Sequence, residues 1–426
     1  MNAPSMRPLQ RAAIVAVGSE LLTPLKLDTN SLFITEQLNL LGIDVTSKGV
    51  VGDDRDELAA VFRALLDRVD LVLLCGGLGP TDDDVTREAV AMSLNRPLAE
   101  DAGITERLRA RFAARGFKTP MPENNRRQAM VPAGGRVIEN TRGSAPGLWI
   151  DEGDKVVLLL PGPPRELKPM LTALVDGPLK ERASGAAVVR RVIRIVGRIE
   201  SQTDEVLQPL YREWAAAEIP IAATILAALG HIELHLSAKS SSKADTEAVL
   251  ATAVDKVLGV LGMDAYSTDG RNMEQVVGEL LAERGMQIGV AESCTGGLIT
   301  SRLTDVPGSS RYVRQSVITY SNEAKSQLLG VPPELLAEHG AVSEPVALAM
   351  ADGIRSQSKV DVGIGVTGIA GPGGGTPEKP VGTVAVAAVT AGQTRSRVFR
   401  FFGEREQVKF QASQAALDMV RRMLLE

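Results

Sequence analysis

The feature that most limits how this chain can fold is an alternation that begins at Ala12. Apolar runs of strand length, such as "AAIVAV" and "DLVLLC", take turns with segments of helical period, such as "NSLFITEQLNLLG" and "DELAAVFRALLDR". That pattern predicts a mostly parallel sheet covered on both faces by helices. In such folds ligands bind beyond the carboxyl ends of the strands. Two glycine-rich turns, "VGSELL" and "CGGLGPTDDD", fall at that edge.

A chain of 426 residues is too long for one ordinary core and predicts two or three domains. The texture changes near Pro178, where "KERASGAA" leads into the strand "VVRRVIRIVG", a helix around "SQTDEVLQPLYREW", the strand "GHIELHLSAKS" and the helix "KADTEAVLATAVDKVLGVLG". These segments read as a small α+β domain over 181–268, after a first domain over 1–180. A complete third α/β domain follows over 269–426. In "HIELH" the alternation puts His231, Glu233 and His235 on one strand face. A solvated sheet face is the favoured reading, because the helical spacing of zinc-binding His-Glu motifs is missing. The tetrapeptide "GVLG" has the form of the clamp of RNA-binding KH units, but it is apolar and reads as a helix stop.

Composition narrows the function. A net charge of -5 and 3% aromatic residues give neither the basic footprint of a duplex binder nor a set of base-stacking platforms, so no nucleic-acid partner is expected. No apolar run is long enough to span a bilayer, and no membrane partner is expected. The start of the chain reads as a short disordered leader rather than a signal peptide, which predicts a cytoplasmic protein. Cys75 and Cys294 form no spaced metal set and suit free thiols in a reducing compartment. Only His231, His235 and His339 are available, which argues against histidine-based catalysis.

The first candidate site is "CGGLGPTDDDVTREA". Gly76, Gly77 and Gly79 allow a ligand close to the backbone, and a following helix with Asp82, Asp83 and Asp84 in its first turn offers amides for phosphate and carboxylates for a divalent cation. Capping by Thr81 and the aspartates explains part of the same pattern. With "VGSELL", "DTN", "NNRRQA", "GSAPGLW" and "LPGPPRELKPM", this stretch resembles the N-terminal domain of the CinA family, which has a molybdopterin-binding-like three-layer αβα fold. In that family the domain is associated with metal-dependent ADP-ribose pyrophosphatase activity. The resemblance implies that Glu20, Asn30, Asp83 and Asp84 lie at the metal and pyrophosphate, with Gly76, Gly77, Gly79, Thr81 and the "PGPP" turn shaping the pocket. The chain departs from the family pattern at Pro24 and Asp28, where glycine and asparagine are usual. The middle segment is implied to be KH-like.

The second candidate site is "GVAESCTGGLITSRL", a strand running into a helix. Ser293, Thr295, Gly296 and Gly297 satisfy a helix start, but a hydroxyl held among such amides is also a candidate nucleophile. His339 reads as a helix C-terminus, so a desolvated lysine is the alternative base, and Lys325 lies one helical turn beyond the strand "SVITYSN" that Tyr320 ends. Thr367, Gly368 and Gly371 in "VTGIAGPGGG" place a third strand end and an anion nest nearby. Cys294 is a rival nucleophile.

"ESCTGG", "PGSS", "YSNEAK", "GAVSE", "TGIAGPGGG" and "KPVG" resemble the nicotinamide mononucleotide deamidase domain at the C-terminus of the same family. The resemblance implies an α/β domain that hydrolyses the nicotinamide carboxamide to a carboxylate and ammonia without a cofactor. Ser293 would be the nucleophile and Lys325 its base, with Tyr320 and Thr367 positioning them. Glu292, Thr295, Gly296 and Gly297 would form the first turn of the site, and Arg405 would contact the nucleotide phosphate. A homodimer acting on small nucleotides in pyridine-nucleotide salvage is implied. The alternatives are molybdopterin adenylylation at the first site, or a non-catalytic nucleotide- or pterin-binding protein that acts through partners in competence or damage responses.

Overall fold

A computed structural model of the chain describes residues 7–114 and 121–426, so most of the expected leader lies outside the described residues. Leu9 is already fully buried and bridges to Ala183. The chain divides into two compact units, one of residues up to Val189 with Ala238–Ala248, the other of Arg190–Ser237 with Val249–Glu426. The segment expected as a small middle domain is thus distributed between them. No helix among the described residues is long and apolar enough to cross a membrane.

The first unit contains β1 (Arg11–Val17), α1 (Asn30–Leu40), β2 (Asp44–Val51), α2 (Arg55–Leu66), β3 (Leu71–Cys75), α3 (Thr86–Ser93), β4 (Leu98–Glu100) and α4 (Ala102–Ala114). It continues with β5 (Met130–Pro132), β6 (Arg136–Ile138), β7 (Gly147–Glu152), β8 (Lys155–Leu160), α5 (Pro164–Asp176) and α6 (Pro178–Arg182). Six strands pair in the order β2-β1-β3-β8-β7-β6. The first four are parallel, and β7 runs antiparallel to its two neighbours, β8 and β6. Period-two geometry sends Ala12, Ile14 and Ala16 of β1 into one apolar cluster and Ala13, Val15 and Val17 into another. After β1 the chain adds β2 on one side and β3 on the other. The switch of direction opens a crevice at the carboxyl ends of β1 and β3.

Next come β9 (Ala187–Ile195), α7 (Glu200–Ala215), β10 (Ile221–Ala228), β11 (His231–Ser240), α8 (Lys243–Leu261) and β12 (Ala265–Ser267), in a sheet ordered β10-β11-β9-β12. β10 was not foreseen, because its alanine-rich sequence has little strand propensity and its place at the sheet edge leaves it mostly exposed. The apolar "GVLG" ends a helix as expected, with Gly262 in the left-handed region at φ 56°. On β11, Glu233 lies between His231 and His235 at 3.3 and 2.9 Å and pairs with Arg194 at 3.1 Å. The face is a half-buried polar cluster. Among the described residues no three or more His, Cys, Asp or Glu side chains are grouped to hold a metal.

The rest of the second unit contains α9 (Met273–Glu283), β13 (Ile288–Glu292), α10 (Leu298–Thr304), β14 (Val313–Ile318), α11 (Asn322–Leu329), α12 (Pro333–His339) and α13 (Glu344–Ser358). It closes with β15 (Val362–Gly368), β16 (Thr383–Val389), β17 (Thr394–Arg400) and α14 (Arg405–Leu425). The strand order is β14-β13-β15-β16-β17, parallel across the first three and antiparallel beyond. β13 is again flanked by the next strand on one side and a later one on the other, which repeats the switch of direction seen at β1.

Helix α13 lies against β15 through small residues. A Cβ added at Gly365 would stand 2.2 Å from the Ala347 carbonyl oxygen, a backbone atom of a fully buried turn of that helix. Gly365→Ala therefore forces helix and sheet apart. It is expected to destabilise the protein by about 2–3 kcal/mol in urea unfolding, whereas Gly392→Ala, which meets nothing within 4 Å, should leave the midpoint unchanged.

Candidate functional site

The six-stranded and the five-stranded sheet each carry a cavity at the switch of direction. In the first unit it measures about 600 Å³ and is lined by the carboxyl ends of β1, β3 and β8. Gly76 and Gly77 adopt φ 109° and 61°, and a Cβ on Gly76 would stand 2.1 Å from the Val17 carbonyl oxygen, so this turn admits only glycine. Thr86 Oγ1 donates to the Gly76 carbonyl at 2.8 Å, and the buried Arg87 guanidinium donates to the Leu78 carbonyl at 2.7 Å. The loop is therefore held from α3.

Helix α3 begins at Thr86, so Asp82, Asp83 and Asp84 belong to the turn before it and not to its first turn. Asp84 is spent inside that turn, accepting from the amides of Gly79 (2.7 Å) and Thr81 (2.9 Å) and from the Thr81 hydroxyl (2.6 Å). Asp83 is exposed, and the polar Thr81 side chain beside it holds its carboxyl below the usual range. Glu20 pairs with Lys26 at 2.6 Å, which lowers its carboxyl too. Asn30 donates to the Gly162 carbonyl at 2.7 Å, while its Oδ1 is buried without a partner. All four expected ligands line the cavity. Their all-oxygen chemistry and the orphaned Asn30 Oδ1 fit a hard divalent cation of the kind that takes one or two carboxylates and completes its shell from substrate phosphates. Asp28, one of the departures, accepts from the amide and hydroxyl of Ser31 and so still performs a helix-start role at α1.

In the second unit β13 ends on Glu292, which is fully buried. Its carboxylate accepts from the amides of Gly297 (3.1 Å), Ile299 (3.1 Å) and Thr300 (3.0 Å) and from the Thr300 hydroxyl (2.8 Å). These are donors that the start of α10 leaves unpaired, so one carboxylate satisfies a whole turn. The Ser293 amide donates to the Val366 carbonyl of β15 at 2.9 Å, which fixes the serine at the strand end. Left-handed Gly296 and Gly297 then turn the chain into α10.

Lys325 lies in the second turn of α11 and is 1% exposed. Its Nζ donates to Ser293 Oγ at 3.3 Å and to the Thr319 carbonyl at 3.0 Å. Burial lowers its pKa below the ordinary lysine value. Thr367 Oγ1 donates to the Ala341 carbonyl at 2.8 Å. Arg405 opens α14 and donates to the Gly371 carbonyl (2.8 Å) and the Tyr320 hydroxyl (3.0 Å). Tyr320 lies two residues beyond the end of β14, not at the strand's end, and is 64% exposed. Burial pushes the Cys294 thiol up to about 12, so it stays protonated, contrary to the activation expected of a helix-start cysteine.

The cavity formed here measures about 260 Å³, and Ser293, Lys325, Tyr320, Thr367, Gly368, Gly371 and Arg405 all line it. Glu292, Thr295, Gly296 and Gly297 do not; they build the turn behind it. His339 ends α12 and is likewise absent from the lining. Sequence reasoning missed Asn322 in this cavity and Gln128, Ser144 and Glu166 in the first, although all four lie inside the quoted motifs.

Fold and sites define a chain that joins a molybdopterin-binding-type α/β domain to a second α/β domain with a buried serine-lysine pair. Residues 13–181 match the family described as "Probable molybdopterin binding domain", and residues 270–424 match the CinA C-terminal domain. A relative from Symbiobacterium thermophilum is 47% identical over 97% of this chain and 99% of its own length. A CinA-like protein from Acidobacterium capsulatum is 45% identical over 97% of this chain and 100% of its own length. The crystal structure of a competence/damage inducible protein from Agrobacterium tumefaciens is 36% identical and covers 37% of this chain and 98% of that one, with a TM-score of 0.35. The chain belongs to the CinA family.

Glu292→Gln keeps the shape of the cap but turns an NH2 group toward amide donors. A buried carboxylate with four donors makes this costly: the variant is expected to lose about 2–4 kcal/mol in urea unfolding, and Thr295→Val, which removes a buried hydroxyl that has no partner, should lose little or nothing.

Proposed function

We propose that the second site is an amidohydrolase that deamidates nicotinamide mononucleotide to nicotinate mononucleotide and ammonia. The observation that carries this reading is the approach of Lys325 Nζ to Ser293 Oγ, 3.3 Å, at two side chains almost closed to solvent. A serine needs a base to become a nucleophile, and a lysine becomes one when desolvation favours its neutral form. Neutral Lys325 takes the proton of Ser293 as Oγ bonds to the carboxamide carbon. The backbone amide of Cys294, a residue that lines the cavity beside Ser293, supplies a donor for the developing oxyanion. Lys325 returns the proton to the leaving nitrogen, and ammonia departs from an acyl-serine. Water then adds to the acyl carbon, giving one proton to Lys325, and the product leaves as the carboxylic acid while that proton restores the Ser293 hydroxyl; the acid then ionises to the carboxylate by losing its proton to solvent or the released ammonia.

Arg405 suits the nucleotide phosphate at the mouth of the cavity, where its guanidinium already bridges the Gly371 loop and Tyr320. Thr367 ties the end of β15 to the loop between α12 and α13 through the Ala341 carbonyl. Ser293→Ala and Lys325→Ala are expected to reduce ammonia release at least a hundredfold, with Cys294→Ala within a few-fold of the parent. Retained activity in Ser293→Ala with loss in Cys294→Ala would reverse the assignment. Because Lys325 must be neutral to act, kcat/KM should rise with pH through its lowered pKa, with the acid limb displaced below that of an ordinary lysine. Chelators should leave this activity intact.

The first site is read as a nucleotide-diphosphate site with ADP-ribose pyrophosphatase activity. The glycine turn admits a phosphate to the backbone. Six carboxylates and one lysine are found among the described lining residues, so an anionic diphosphate needs a cation there. Asn30 and Asp83 are the residues free to hold it, joined by Glu20 if Lys26 releases it, and the bound cation would neutralise charge on the phosphates. Release of AMP and ribose 5-phosphate from ADP-ribose should require added Mg²⁺ or Mn²⁺ and fall at least tenfold in Asp83→Asn; turnover unaffected by EDTA would contradict the reading.

A further inference from the structure

We propose that Lys379 is a positioning residue of the serine-lysine site: it fastens the glycine-rich stretch after β15 to the stretch after α12, two parts of the cavity lining, and so sets how firmly substrate is held without touching it. The proposal rests on the reading of that site as a deamidase of nicotinamide mononucleotide. Gly368, Gly371, Gly373 and Gly374 line the cavity from the first stretch, and Ala341 and Val342 line it from the second. Lys379 is absent from the lining.

The glycine-rich stretch has little of its own to order it. Residues 372–378 are all exposed, and Gly371, Gly373, Gly374 and Gly375 give the backbone many conformations to choose from unless it is held from outside. Its base is closed by the Ile369 amide donating to the Thr383 carbonyl (2.9 Å) and the Gly382 amide to the Ile369 carbonyl (2.8 Å). Its tip is a turn in which the Thr376 amide donates to the Lys379 carbonyl (2.9 Å) and the Lys379 amide to the Thr376 hydroxyl (3.1 Å). Beyond base and tip, two hydrogen bonds among the described residues lead from the stretch to other elements. Arg405 donates to the Gly371 carbonyl at 2.8 Å, and Lys379 Nζ donates to the His339 carbonyl at 2.8 Å.

His339 ends α12, and its carbonyl is one of those a helix leaves without a partner in its last turn. A cation there also complements the helix dipole. What matters for the site is where the cation comes from. Lys379 lies 40 residues further along the chain, at the far end of the glycine stretch. At the near end, Thr367 Oγ1 donates to the Ala341 carbonyl at 2.8 Å. Both ends of the stretch are thus fastened to residues 339–341, which lead directly into Val342. Ser293 and Lys325 are held independently of this clasp, through the Val366 and Thr319 carbonyls. Loss of the clasp therefore leaves the reacting groups in place and loosens the backbone against which a bound nucleotide rests. Such a loss weakens ground state and transition state alike and shows in KM rather than kcat.

The test compares the full chain with Lys379→Met, which keeps an unbranched stem and loses the donor, and with Lys379→Arg, which keeps a charged donor. Ammonia release from nicotinamide mononucleotide gives kcat and KM, and hydrogen exchange of the amides in 371–381 reports on the stretch itself. Lys379→Met is expected to raise KM about tenfold with kcat within about twofold of the parent, and to speed exchange in 371–381. Lys379→Arg should return KM to within about threefold of the parent. KM unchanged in Lys379→Met overturns the proposal. A fall in kcat at constant KM also overturns it, since Lys379 would then act on the chemistry, as does an arginine variant no better than the methionine one. A parent protein that releases no ammonia removes the deamidase reading, and exchange then decides the clasp alone: faster exchange in Lys379→Met keeps it and equal exchange removes it.

Discussion

The carboxylate of Glu292 is the constraint on which the serine-lysine site depends. A parallel strand that hands over directly to a helix leaves that helix with unpaired amides facing the core, where water cannot reach them. Glu292 supplies acceptors to three of those amides and a hydroxyl, and so fixes where α10 begins. Ser293 is then held between a capped helix and the Val366 carbonyl of the adjacent strand. The neighbouring strand is tied to the same point, because the Thr319 amide donates to the Glu292 carbonyl at 2.8 Å and the Thr319 carbonyl receives Lys325. Ser293 and Lys325 meet because both are referenced to one residue of β13.

The two units solve the same topological problem with different chemistry. In each, a central strand is followed by one neighbour and later by another on its opposite side, and the cavity opens where the connections diverge. In the first unit the turn is glycine-rich and the walls are acidic, so the space is large and open to charge brought by a ligand. In the second, Ser293 and Lys325 are nearly dry and bonded to each other, and the space is less than half as large. The first arrangement suits a charged substrate that brings part of its own coordination. The second suits a reaction that needs a neutral amine beside a hydroxyl, which water would prevent.

Much of this was legible in the sequence because it rests on periodicity and on short-range chemistry. The strand-helix alternation, the sheet edges and the glycine turns depend on patterns within a few residues. The helix stop at Gly262 is of the same kind. What local pattern misjudged was set by neighbours distant in the chain. The start of α3 falls at Thr86 because the Asp84 carboxylate turns back to Gly79 and Thr81. β10 is a strand because β11 offers it an edge, not because its alanines favour one. Glu166 becomes a cavity wall through Asn140, 26 residues away.

The sequence by itself determined that two parallel-type sheets would form and that Ser293, Lys325, Thr367 and the Gly76 turn would stand at strand ends, since apolar period and turn residues specify which end of a strand is followed by a loop. Only the tertiary structure decided the ionisation and roles of those groups. Cys294 and Ser293 are adjacent in the chain, yet burial keeps the thiol protonated while the serine faces a lysine 32 residues on. Glu292 reads as a site residue in sequence and is a buried cap in space. The reason is physical: position along a strand is a local property, whereas desolvation and hydrogen-bond partnership depend on every element packed around the group, and those elements come from all parts of the chain.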